Sequence, residues 1–155
     1  MFRSSCLLHK VTLTCKHPAK TIFRAILGPD FSALSRLGMS VRLLRTIDPF
    51  TKIWHAALGS ETGGGMLSDN PRDFTLLSRV KMNPDKSYDI VALSFSDPAY
   101  PLTAGYVRGK IHCLGWHIRP GQNDHSFCTV TLVCSIDLNN HIHTATRSSS
   151  PHPTL

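Results

Sequence analysis

Polar and apolar positions alternate over much of the chain, at the period of two expected of a half-buried strand. The clearest run is 74–82, where Phe74, Leu76, Ser78, Val80 and Met82 alternate with Thr75, Leu77, Arg79 and Lys81. The second set carries the charges and is expected to face water, the first to face inward. Asn83-Pro84-Asp85-Lys86 reads as a turn. Residues 88–95 form the next strand, with Val91, Leu93 and Phe95 as its inward set. Residues 107–118 read as one long strand in which Gly109 and Gly115 mark bulges that curl a sheet. A turn at 120–124 leads into a last strand over 127–138, with Cys128, Val130, Leu132, Cys134 and Ile136 on one face.

Upstream, Val11, Leu13 and Cys15 alternate and predict a short strand. Pro18 opens a helix over 18–27, since proline costs nothing at a first helical position. Ile22, Phe23, Ile26 and Leu27 form its apolar stripe, and Gly28-Pro29 stops it. Residues 31–39 read as loop with a helical turn. Strands at 41–47 and 52–58 join around Asp48-Pro49-Phe50-Thr51. Gly63-Gly64-Gly65 lacks the Lys-Ser/Thr and the helix that a phosphate loop needs, and reads as a flexible connection. From Asn139 onward the chain is polar, with Pro151 and Pro153, and a disordered tail is expected.

At 155 residues the chain is one domain, able to build a core without disulfides. No run approaches the roughly 18 apolar residues of a spanning helix. The net charge of +7 is local. Residues 1–46 hold eight Lys/Arg against Asp30, and the remainder is neutral. This basic third either steers the protein towards an anionic surface or is a solvated face. Its acid-poor, Ser/Thr-containing start has the composition of a mitochondrial transit peptide, although Val11, Leu13 and Cys15 alternate as a strand does. The five cysteines show no CxxC and no disulfide spacing, so a reduced, cytoplasmic setting is expected, with mitochondrial association the other option.

Concentrated chemistry is hard to find. Cys113 and His117 share a strand face, but with His112 and His125 nearby they do not make up a zinc site. Cys113 lies beside His112, yet no acid is placed to orient that histidine for nucleophilic catalysis. Trp54 and Trp116 read as wall or core. Ser78 is the hydroxyl on the inward set of its strand, and either meets a ligand or is satisfied in the core. No catalytic residue, metal or cofactor is assigned.

Four pieces of the 71–138 ladder form an ordered set. They are Asn70-Pro71-Arg72-Asp73-Phe74, Val91-Ala92-Leu93-Ser94, Gly105-Tyr106-Val107-Arg108-Gly109 and Cys134-Ser135-Ile136-Asp137-Leu138. In this order and spacing they resemble the START domain, the lipid-binding module of the steroidogenic acute regulatory protein and its relatives. The first resembles the family's Pro-Arg-Asp-Phe start of a central strand, the third its Tyr-Val-Arg-Gly signature, the last its Ser-Ile-Asp-Leu close. Upstream, 42–58 resembles the preceding strand pair and 18–27 a short helix, so the resemblance covers about residues 10–138.

The resemblance implies an α+β helix-grip fold, a curved antiparallel sheet with an N-terminal helix around a tunnel for one lipid. Family members carry a Trp-Asp pair that 30–39 lacks, and a long C-terminal lid helix. Residues 139–155 stand in that helix's place, so the lid is expected to be missing, as in a truncated or alternatively spliced product. The expected divisions are a basic extension over 1–9, an incomplete START-like domain over 10–138 and the tail over 139–155. Lipid contacts are expected from Phe74, Leu76, Ser78, Val80, Val91, Leu93, Phe95, Val130 and Leu132. Arg79 falls on the other face, and Arg72 and Asp73 are expected to tie down the start of their strand. The implied activity is non-enzymatic lipid binding or transfer, with a sterol or phospholipid as ligand and the sterol-transfer group as nearest subgroup. Transient contact with an anionic membrane through the basic third is expected, and nucleic acid is not a partner. The alternatives are the START portion of an acyl-CoA thioesterase relative, or a product that without its lid exposes an apolar concavity and does not function.

Overall fold

The computed structural model describes residues 7–28, 39–59 and 71–139. In chain order these form β1 (His9–Cys15), α1 (Ala19–Leu27), β2 (Met39–Asp48), β3 (Thr51–Leu58), β4 (Arg72–Met82), β5 (Tyr88–Ser94), β6 (Val107–Arg108), β7 (Lys110–Pro120) and β8 (Cys128–Asp137). Seven strands make an antiparallel sheet in the order β1-β8-β7-β5-β4-β3-β2, and the short β6 adds on parallel to β4. This is the expected α+β class, a curved antiparallel sheet with one short helix among the described residues. The expectations of a missing lid helix, a flexible glycine run and a disordered tail fall on segments that lie outside the described residues.

The hairpins follow from local chemistry. At the β2–β3 turn the Asp48 carboxylate accepts the Phe50 N–H at 2.7 Å. At the β4–β5 turn Asp85 accepts from the backbone and the hydroxyl of Ser87, at 3.0 and 2.6 Å. Register shifts bend β2 between Leu43 and Arg45 and between Thr46 and Asp48, and bend β7 between Ile111 and Cys113. Such irregularities add the local bend and twist that let a sheet curve.

Helix α1 spans nine residues. Isolated helices shorter than about 12–15 residues are marginal in water, so tertiary packing has to hold this one. The Pro18 carbonyl accepts from Thr21 and Ile22 and starts the first turn. Ile22, Phe23, Ile26 and Leu27 lie on Tyr88, Ile90, Ile118, Cys128 and Val130, with Phe23 stacked on Tyr88 at 4.3 Å between ring centres. Fully burying such side chains contributes about 1.5–3 kcal/mol each. The face of the sheet that carries α1 is the inner face. A second apolar cluster at the other end of this face joins Ala56, Phe74, Leu76 and Ile111.

Two strand expectations need correction. Directly opposed residues share a face. Val80 opposes Ile90 and Ser78 opposes Ala92, so Tyr88, Ile90, Ala92 and Ser94 are the inner set of β5. Val91 and Leu93 stand on the outer face, 51% and 48% exposed. The tight turn fixes this by setting Tyr88 opposite Met82. Phe95 lies past the end of β5, where its ring meets Tyr100 edge-on at 6.1 Å. The long strand expected over 107–118 is two strands. Gly109 lies between them, and a Cβ there would overlap the ring of Phe74. The bend in β7 falls at His112 and not at Gly115.

Candidate functional site

The inner face has a large-small-large profile. Its two ends are filled by the apolar clusters around Ile118 and Phe74. Between them Ser78 opposes Ala92, and at the edge of the second cluster Leu76 opposes Ser94, so the inner side chains of the later half of β5 are small. Leu114 and Trp116 of β7 pair across to Cys134 and Leu132 of β8, and continue the same face. Trp54 of β3 opposes Leu76 and Leu43 of β2. The result is an apolar floor with small side chains in its middle.

Polar groups on this floor are already engaged. The Trp54 indole N–H donates to the Ser78 hydroxyl at 2.8 Å, and that hydroxyl faces the Lys52 carbonyl at 3.4 Å. Trp54 and Ser78 are diagonal neighbours on adjacent strands, within reach of a long side chain. The Ser94 hydroxyl accepts the Ile111 N–H at 2.9 Å. The Lys52 ammonium stands over the Trp54 ring, 5.7 Å from its centre. Both central hydroxyls are therefore satisfied within the protein, and the floor makes little polar demand on a ligand.

Of the residues expected to form the site, Phe74, Leu76, Ser78, Val80, Val130 and Leu132 share the inner face. Phe74 and Leu76 belong to one terminal cluster, Val80 and Val130 to the other. Ser78 and Leu132 lie between. Sequence reasoning missed Ile90, Ala92 and the Trp54–Ser78 bond. A signal for β5 was available: Asp89 shares parity with Val91 and Leu93 and marks that side as the wet one.

The outer face has an open depression of about 810 Å³, lined by Arg79, Lys81, Asp89, Val91, His117 and neighbouring residues. Asp89 accepts there from His117 at 2.7 Å and from the Asn83 amide at 2.6 Å. The Asn83 amide first, with help from His117 and Lys81, outweighs burial and holds the Asp89 carboxyl below its ordinary value. Its lining combines these charged groups with the apolar Phe50, Val80, Met82, Ile90, Trp116 and Val133. His117 is committed to Asp89, and among the described residues no three His, Cys, Asp or Glu side chains gather as a metal site.

At the Phe74 end, three of the four sequence motifs meet. Asp73 is fully buried on the outer face and takes both ends of the Arg108 guanidinium, Nε at 2.7 Å and Nη2 at 2.9 Å. The Thr103 N–H donates to the same carboxylate at 3.2 Å, and His55 approaches it at 3.4 Å. Burial pushes the Asp73 carboxyl up, but Arg108 and Thr103 together overcome this and hold it below its ordinary value. The Arg72 Nε donates to the Leu138 carbonyl at 2.6 Å, which ties the start of β4 to the end of β8. The Phe74 ring fills the space over Gly109. Pro-Arg-Asp-Phe thus clamps Tyr-Val-Arg-Gly with Asp73 and Phe74, and Ser-Ile-Asp-Leu with Arg72. These residues tie down the strand, as the sequence led one to expect.

Comparison with known proteins matches this geometry. The lipid transfer and protein localization domain of human StarD13 (DLC2) superposes with a TM-score of 0.72 at 23% identity, covering 88% of this chain and 65% of that one. Human StAR-related lipid transfer protein 5 superposes at 0.73 and 18% identity, covering 95% and 64%. Human STARD10 does so at 0.67 and 17%, covering 90% and 55%. At these identities the likeness is one of fold, and the chain spans less than two thirds of each of those structures. No curated protein matches the chain significantly by sequence. The START domain model matches residues 57–150, well over half of the chain, and includes all four motifs. The chain belongs to the START domain family.

Proposed function

We propose that the chain binds one hydrophobic lipid, a sterol, against the inner face of its sheet, without catalysing a reaction on it. The observation that carries this reading is the apolar floor with small residues at its centre, Ala92 and Ser94, between two filled ends. Family membership and the lipid-transfer relatives of the same fold support it. Covering roughly 400 Å² of apolar ligand surface at about 25 cal/mol per Å² gives on the order of 10 kcal/mol before ordering costs. A ligand with one small polar group suits the floor, because Ser78 and Ser94 are already hydrogen-bonded. A charged headgroup would have to settle at the rim, near Lys52.

The test is a binding titration of the full chain with fluorescent sterol, phosphatidylcholine and fatty acid. Saturable one-to-one sterol binding is expected, weakened at least tenfold by Leu76→Gln in a variant that keeps its circular dichroism. Tighter binding of phosphatidylcholine would reassign the ligand. A folded protein that binds none of the three would overturn the reading.

A further inference from the structure

Cys15 and Cys128 are separated by most of the chain, and nothing in their spacing connects them. The fold sets them directly opposite each other, as the last residue of β1 and the first of β8. Opposed residues of an antiparallel pair have Cα atoms about 4.5 or 5.5 Å apart. Both values lie within the range of about 4.4–6.8 Å that a disulfide spans. Both side chains point to the inner face and pack in the α1 cluster, Cys15 half-buried and Cys128 buried. The other described cysteines have no such partner. Cys134 opposes His9 and Leu114, and Cys113 opposes Ser135. Cys134 also lies six residues along the same strand from Cys128, roughly 20 Å away at strand rise.

We propose that Cys15 and Cys128 are a thiol-oxidation site, closing a reversible cross-strand disulfide by exchange with a low-molecular-weight disulfide such as oxidised glutathione. Cys15 is the more accessible thiol and reacts first. Its thiolate attacks one sulfur of the small disulfide, forms a mixed disulfide and expels one small thiolate. The Cys128 thiolate then attacks the Cys15 sulfur and expels the second. Two protein thiols lose two protons and two electrons, and the small disulfide takes them up as two thiols. Burial above all, with the Cys15 thiol beside it, pushes the Cys128 thiol up. The closing step therefore quickens as pH rises above neutral. The bond would staple the end of β1, and with it the Lys16-His17-Pro18 turn into α1, to β8. It would fix the helix that fills one end of the inner face, whatever ligand that face takes.

The full chain is equilibrated with graded mixtures of reduced and oxidised glutathione, quenched with N-ethylmaleimide, digested and read by mass spectrometry. A Cys15–Cys128 cross-linked peptide is expected, reversible by dithiothreitol, with Cys113 and Cys134 still alkylated. The oxidised chain should melt on the order of 5–15 °C higher, because a long loop has been closed. Cys15→Ser should abolish both effects. Cys128→Ser should instead accumulate the glutathione adduct on Cys15. The proposal is overturned if the wild-type chain stops at that adduct, links either cysteine elsewhere, or keeps both thiols alkylatable in the most oxidising mixture.

Discussion

The two ends of the sheet are held by different physics. At one end a nine-residue helix lays an apolar stripe on Tyr88, Ile118 and Val130, and the contact is dispersion and water exclusion. At the other, the buried Asp73 carboxylate grips Arg108, Arg72 reaches the Leu138 carbonyl, and Phe74 sits over Gly109. The first kind of contact is graded: close-packed, but tolerant of another apolar residue of similar size. The second depends on each partner, because a buried charge left alone loses hydration and receives nothing in return. Motif residues that a sequence scan picks out therefore concentrate at the polar corner. The helix end shows only as a hydrophobic period.

The largest expected effect breaks the polar corner. Asp73→Ala leaves the Arg108 guanidinium without its carboxylate and should cost about 3–5 kcal/mol in urea unfolding. The loss should shrink in acid. The folded-state Asp73 carboxyl is held below its ordinary value, so its ionised form stabilises the fold above the unfolded value of about 3.9. That contribution disappears as pH falls through the folded value. The gap between wild type and Asp73→Ala should thus be full at pH 6–7 and narrow below about pH 4. A gap that stays constant down to pH 3 would show that Asp73 matters through shape and not through charge.

Next is Gly109→Ala. The added methyl meets the Phe74 ring, and overpacking of this kind costs about 1–3 kcal/mol. Pairing it with Phe74→Leu should return part of the loss, since the methyl then has space. Additive losses would place the strain in the backbone at the β6–β7 break. At the opposite end Ile118→Val is expected to cost only about 0.5–1.5 kcal/mol, although Ile118 is wholly buried. That penalty should not change between pH 7 and pH 4, in contrast with the Asp73 variant. A pH-dependent Ile118→Val penalty would blur the distinction between the two ends.

The strands, the helix, the hairpin turns and the motif order were legible in the sequence because each rests on local rules: alternation, a helical stripe, turn residues. β4 could also be oriented, since Arg79 and Lys81 mark its wet side. The clamp was half legible. Arg72 and Asp73 read as fixing the strand, but their partners Leu138 and Arg108 lie 66 and 35 residues away and only the fold brings them together. Cys15 and Cys128 were hidden for the same reason. β5 is deceptive because its outer Val91 and Leu93 are larger than its inner Ala92 and Ser94, and only Asp89 marks the wet side. On β5 the charged residue, and not the larger apolar ones, tells the outer side from the inner.

That lesson supplies the smallest expected effect. Val91→Thr with Leu93→Thr puts β-branched polar side chains on the outer face, where a strand accepts polar residues. Both positions are about half exposed, so the pair should change stability by no more than about 0.5 kcal/mol per site. Sterol affinity should not move at all. Ala92→Leu is the counterpart on the inner face: it adds bulk beside Ser78, on the floor where the ligand is proposed to lie. It should weaken sterol binding severalfold in a chain that still folds. If the outer double variant lost binding and Ala92→Leu kept it, the ligand would have to be sought in the depression beside Arg79 and Lys81, and the inner face would be core alone.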